Sequence, residues 1–95
     1  MFTHIVLFKL RDRSPESIAA TRVHLERMRL AIETLRELEI GVDIMRSGRS
    51  YDLALITRFD DRAGFEAYRE HPAHRPVLAH LHEATESAAA VDFES

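Results

Sequence analysis

The chain has 95 residues, 45% of them hydrophobic and 31% charged, a composition typical of a single globular domain over residues 1–95. The net charge of −3 provides neither the basic footprint expected for nucleic-acid binding nor a polybasic membrane segment. Without cysteine, disulfides, thiolate metal ligands and thiol nucleophiles are excluded. No apolar run approaches the roughly 18 residues of a membrane span, and no basic leader precedes the first strand pattern, so we expect a cytoplasmic location.

The first third of the chain predicts a strand followed by a long helix. Phe2–Leu10 is rich in β-branched and aromatic residues, as strands are. Ser14 and Pro15 suit the cap and the first turn of a helix. Apolar residues then recur at intervals of three, four or seven, which predicts one helix reaching residues 34–36. Its apolar stripe consists of Ile18, Leu25, Met28, Ile32 and Leu35.

Two further strands and a short helix follow. Charged and apolar residues alternate over Glu37–Asp43, which predicts a half-exposed strand. Tyr51–Phe59 has the composition of a third strand. Asp60 and Asp61 provide a cap for a short helix that reaches Tyr68.

The end of the chain completes a recognisable order of elements. After a break at Pro72, His74–Glu83 predicts another short helix, and Thr85–Phe93 predicts a last strand. The order strand, helix, strand, strand, helix pair, strand is that of the ferredoxin-like βαββαβ arrangement. We therefore predict an α+β fold with a four-stranded antiparallel sheet and helices on one face.

Two of the predicted strands are apolar on both faces. Ile5 and Leu7 lie on the face of the first strand opposite Phe2 and Phe8, and the third strand repeats this pattern. Helices that cover one face of an antiparallel sheet leave the other face exposed, where polar residues are expected. Because no further element of the chain remains to cover this face, we predict a homodimer that packs sheet against sheet.

The ten residues from Tyr68 to Val77 contain one tyrosine, two histidines and two prolines between two predicted helices. Proline after His71 disfavours helical geometry at that residue, so the chain turns there. Histidine changes charge near neutral pH, and tyrosine carries a polar group on an apolar ring. Any chemistry of the protein is expected in this segment.

The chain resembles the stress-responsive A/B barrel family, also called Dabb, whose members are small dimeric α+β barrels. The resemblance covers nearly the whole length, and its most specific element is the Tyr-x-x-His-Pro-x-His motif that begins at Tyr68. The matching segments are His4–Leu10, Ser50–Leu55, Phe59–Asp61, Tyr68–His74 and Val91–Phe93.

The resemblance implies several functions, because family members differ. Many have no assigned activity, and one plant relative is a cofactor-free polyketide cyclase that acts by aldol condensation with a histidine and a tyrosine. By motif position these residues correspond to His74 and Tyr68, and a histidine near the pocket corresponds to His4. The leading expectation is a cavity for a small apolar or aromatic molecule, with His4, Phe65 and His71 as ligand-binding residues.

Three hypotheses remain open at this stage. An aldol reaction needs a base, for which neutral His74 is suitable, and a donor to the enolate oxygen, for which Tyr68 is suitable. No cofactor is then expected. The second hypothesis is binding without turnover. The third is a structural, stress-protective dimer in which the motif serves only the fold.

Metal and haem sites are weaker alternatives. His71, His74, His80 and His82 cluster in sequence, but they show no HExxH motif or histidine pair four apart, so no metal is predicted. Related dimeric α+β barrels include monooxygenases and haem-handling proteins, for which only His74 provides a possible ligand here. His24 is expected at the surface, and Asp52 is expected to pair with an arginine.

Overall fold

The computed structural model describes residues 1–95 and confirms the predicted ferredoxin-like order of elements. The boundaries agree with the sequence patterns within two residues, except at the end of the first helix. The elements are β1 (Phe2–Leu10), α1 (Pro15–Glu26), β2 (Glu37–Val42), β3 (Leu53–Phe59), α2 (Arg62–Glu70), a 3-10 turn (Pro72–His74), α3 (Arg75–Ala84) and β4 (Thr85–Glu94).

The four strands form one antiparallel sheet in the order β2-β3-β1-β4. In β3, buried and half-buried residues alternate along the strand, as expected when helices cover one face. The core lies between that face and the helices. It contains fifteen buried apolar residues, among them Phe8, Leu25, Phe59 and Val77.

Side-chain caps fix where the helices begin. Ser14 Oγ accepts a hydrogen bond from the Ser17 N–H, and an Asp61 carboxylate oxygen accepts one from the Gly64 N–H. Both residues were expected in this role, because short polar side chains satisfy N–H groups that have no partner within the helix.

The first helix ends earlier than predicted, at Glu26 instead of residues 34–36. Beyond Glu26, the N–H groups of Met28, Arg29 and Ala31 donate to carbonyls three residues back, which is the pattern of tight turns. Met28, Ile32 and Leu35 are nevertheless buried. The apolar spacing therefore identified which side of this segment faces the core, but not its hydrogen bonding. Successive tight turns can bury side chains three or four residues apart, as a helix does.

The outer face of the sheet is apolar at its centre. The register places Leu7 between Ala54 and Ala89, and Ile5 between Ile56 and Val91. Leu7 is 38% exposed and Val91 is 61% exposed. This face has no covering element within the chain, as the two-sided apolar pattern of the strands predicted.

A buried carboxylate joins the loops at one end of the sheet. Asp52 is fully buried, accepts a hydrogen bond from the Leu10 N–H at 2.7 Å, and pairs with Arg13 at 2.9 Å and with Arg46 at 3.0 Å. The predicted pairing with an arginine is confirmed.

A membrane span requires a helix that is both long and apolar, and none of the helices has the necessary combination of length and apolar character.

Candidate functional site

A cavity of about 230 Å³ lies between the inner face of the sheet and the helices. Its polar lining consists of His4, Tyr68, Arg69 and His74. The remaining lining side chains are apolar: Val6, Phe8, Leu25, Met28, Leu55, Phe65, Val77, Leu78 and Leu81. An apolar pocket with a few convergent polar groups is the usual form of a small-molecule site.

The chain break at Pro72 determines how His74 is placed. His71 has an extended backbone, with φ −65° and ψ 138°, because the following proline disfavours the helical region. Its Nδ1 accepts a hydrogen bond from the Ala73 N–H at 3.0 Å, and its carbonyl accepts one from the His74 N–H at 2.9 Å. The resulting 3-10 turn places His74 immediately before α3 and beside the cavity.

Tyr68 occupies the last turns of α2 and is 1% exposed. Its ring centroid lies 4.7 Å from that of His74 and 5.1 Å from that of Phe59. Burial raises the pKa of Tyr68 well above its usual range, so the phenol keeps its proton at neutral pH. A protonated phenol in an apolar cavity is a hydrogen-bond donor.

His74 has an unusual environment, because its Nδ1 is buried and has no hydrogen-bond partner. A buried polar atom is normally satisfied, so an exception calls for a functional or solvent partner. Burial lowers the pKa of His74; a backbone interaction with Arg69 opposes this shift, and the positive charges of His4 and Arg69 add to it. His74 is therefore a neutral imidazole at neutral pH, able to accept a proton.

His4 approaches the cavity from β1. Its Nδ1 is hydrogen-bonded to the Asp92 carboxylate, which the register of β4 places directly opposite. Because Asp92 occupies Nδ1, the other ring nitrogen is the one left for a ligand. The His4 ring centroid lies 6.2 Å from that of Tyr68, so the two histidines flank the phenol.

Phe65 forms an aromatic wall at one side of the cavity. Its ring stacks on Phe2 with centroids 4.7 Å apart and lies 4.8 Å from the ring of His4. Phe59 meets it edge-on at 5.6 Å. These rings fill one side of the interior but leave the space beside His74 open.

The structure brings four of the five predicted site residues to the cavity, namely His4, Phe65, Tyr68 and His74. It does not bring His71 there. The Nε2 of His71 instead lies 3.3 Å from a Glu33 carboxylate oxygen, and its Nδ1 caps the turn. A ligand contact for His71 stays a prediction that this geometry does not favour.

Two residues of the site were missed from the sequence. Asp92 becomes recognisable only through the register of β4 against β1, since its distance from His4 along the chain gives no signal. Arg69 stands inside the Tyr68–His74 motif, but a charged residue on a short helix is usually solvated. Its place at the cavity depends on the angle of α2 over the sheet.

The sequence model of the stress responsive A/B barrel domain matches residues 2–95. A dimeric ferredoxin-like protein of unknown function from Thermobifida fusca YX is 30% identical, covering 99% of this chain and 90% of that protein, with a TM-score of 0.87. A second such protein, from Bacteroides fragilis NCTC 9343, is 32% identical, covering 99% and 95% of the two chains, with a TM-score of 0.84. No curated protein matches the chain.

A more distant likeness extends to an enzyme. The hydroxynitrile lyase from Passiflora edulis is 15% identical, covering 97% of this chain and 90% of the lyase, with a TM-score of 0.83. At this level of identity the likeness shows a shared fold alone.

Proposed function

This chain belongs to the stress-responsive A/B barrel domain family, and we propose that its interior cavity binds a small molecule with an apolar body and a polar group beside His74. The observation that carries the proposal is an apolar cavity whose lining brings His4, Tyr68 and His74 together. A ligand hydroxyl or carbonyl group placed among these three side chains meets hydrogen-bonding groups in an otherwise apolar space. A filled interior, as a purely structural dimer requires, fits less well with about 230 Å³ of free volume.

The test uses 2-naphthalenemethanol as a neutral aromatic probe, titrated by its own fluorescence. We expect saturable binding to the wild-type protein and binding weakened at least about fivefold in His74→Phe, which keeps a ring but removes both nitrogens. The phenylalanine ring keeps the aromatic contact with Tyr68, so the variant is expected to fold, and circular dichroism melting checks this. Its control is His82→Phe on the exposed side of α3. No saturable binding, or equal weakening by both substitutions, contradicts the proposal.

A second candidate function is cofactor-free acid–base catalysis of the polyketide cyclase type. A neutral imidazole within 4.7 Å of a protonated phenol, centroid to centroid, favours it. His74 takes a proton from the carbon between two carbonyls, and the electron pair moves to the oxygen, where Tyr68 donates a hydrogen bond. The enolate carbon then forms a bond to the carbon of a further carbonyl in the same molecule. The oxygen of that carbonyl becomes an alkoxide and receives the proton back from His74.

The first step of that reaction predicts a pH profile. Protein-dependent exchange of the central protons of 2,4-pentanedione into deuterated water, followed by NMR, should rise with pH and be half-maximal below the ordinary histidine pKa of 6.5. The sign follows because the base acts in its neutral form, and burial keeps that form populated to lower pH. His74→Phe should reduce the exchange about 100-fold. Exchange that is unaffected by this substitution rules out the catalytic candidate and leaves binding without turnover.

We further propose that the chain forms a homodimer through the outer face of its sheet. The relatives from T. fusca and B. fragilis are described as dimeric. The uncovered apolar residues Ile5, Leu7, Ile56 and Val91 lie side by side on this face. A second copy packed on this face buries them.

A further inference from the structure

We propose that the ligand of this cavity is a small organic acid, whose apolar body lies among the aliphatic side chains and whose carboxylate contacts Arg69. The inference rests on the proposed binding function and adds the charge of the ligand to it. It starts from the types of polar side chain that line the cavity.

Apart from the Tyr68 phenol, which keeps its proton, the titratable groups of the cavity lining are basic. Arg69, His4 and His74 line it, and no aspartate or glutamate does. Two carboxylates of the adjacent surface groove contact this lining: Asp92 is hydrogen-bonded to His4, and Glu66 faces Arg69. A ligand anion inside the cavity therefore meets basic side chains and no carboxylate in the lining itself.

Arg69 lines both the cavity and that groove, which also contains Arg62 and Glu66. The guanidinium carbon lies 5.7 Å from the centroid of the Phe65 ring, so the aromatic wall holds the side chain at this boundary. A planar guanidinium there matches the planar fork of a carboxylate.

The Arg69 guanidinium is only weakly paired, with Glu66. Its Nη1 lies 3.4 Å and 3.5 Å from the two Glu66 carboxylate oxygens, at the long limit for a hydrogen bond. By contrast, Arg36 contacts Asp60 at 2.9 Å and Arg58 contacts Glu37 at 2.8 Å. Among these surface arginines, Arg69 is the one that a ligand can recruit at the smallest cost in lost contacts.

The test compares two probes of one shape, 2-naphthoate and neutral 2-naphthalenemethanol, on the full-length protein at pH 7.5. Wild type is expected to bind the acid about tenfold more tightly than the alcohol. Arg69→Met, which keeps the length of the side chain, should lower the ratio of acid to alcohol affinity, measured on the same variant, to about one. The matched control, Arg62→Met, changes an arginine that lines only the groove and should keep the preference. Circular dichroism melting establishes that both variants are folded.

The outcomes separate this inference from the function on which it rests. Equal affinities of wild type for the two probes, a preference that survives in Arg69→Met, or its loss in Arg62→Met overturns the role of Arg69 while cavity binding stands. If 2-naphthalenemethanol binds and 2-naphthoate does not, the ligand is not an organic acid, while the cavity-binding function stands. If neither probe binds, the proposed function itself is wrong, and the inference falls with it.

Discussion

Replacing Leu7 with aspartate is expected to convert the protein from a dimer to a monomer. Leu7 stands at the centre of the outer sheet face, with Ala54 and Ala89 beside it in the register. In a sheet-against-sheet dimer, the new carboxylate is buried without a partner. The free-energy cost of burying that charge exceeds the stabilisation that the surrounding apolar contacts contribute to the interface. Sedimentation equilibrium at micromolar concentration should find the dimer for wild type and a 10.9 kDa species for Leu7→Asp.

Leu30→Asp is the control for this experiment. Leu30 is 97% exposed in the turns after α1, so the same chemical change there leaves the sheet face intact. This variant should sediment as wild type does. A dimer that persists in Leu7→Asp, or a monomeric wild type, shows that the outer face is not the interface.

Asp52→Asn is expected to lower the free energy of unfolding by about 2–3 kcal/mol, because a fully buried carboxylate loses its charge beside two arginines. The asparagine keeps an acceptor for the Leu10 N–H, so the loss falls on the contacts with Arg13 and Arg46. Urea unfolding at pH 7 measures the difference. The control, Asp60→Asn, removes an exposed pair with Arg36 and should change stability little.

The Asp52 carboxylate also leads to a prediction of how the free energy of unfolding depends on pH. Burial alone raises the pKa of Asp52, but hydrogen bonds from the Leu10 N–H, Arg13 and Arg46 outweigh it and hold the pKa below its ordinary value. A depressed pKa stabilises the fold above the pKa of the unfolded chain, and this contribution is lost as the pH falls. The stability difference between wild type and Asp52→Asn should therefore shrink from pH 7 to pH 3. An unchanged difference contradicts this account.

The sequence was sufficient for the fold because each element carries its own local signal. Ser14 and Asp61 were recognisable as helix caps, and the β-branched and aromatic content of β1 and β3 identified them as strands. The end of α1 was not predictable in this way. Tight turns over residues 27–35 bury Met28, Ile32 and Leu35 as a helix does, so the apolar period cannot distinguish the two.

The candidate site was only partly predictable, since it depends on contacts between distant elements. The motif provided Tyr68 and His74, and the parity of β1 placed His4 on the same face as Phe2 and Phe8. The partner of His4 depended on the register of β4, and the position of Arg69 depended on how α2 crosses the sheet. His71 carries the same motif signal as His74 but turns to Glu33, because the proline break separates the two side chains.

The early end of α1 has a consequence for how this cavity can diversify. Met28 lines the cavity from a stretch of turns, whereas His4 and Leu55 line it from central strands. Substitutions and insertions are tolerated in such connecting segments far more readily than in paired strands. The part of the pocket that Met28 lines can therefore be reshaped over evolutionary time while His4 and Tyr68 stay in place, so relatives with the same motif can accept different molecules.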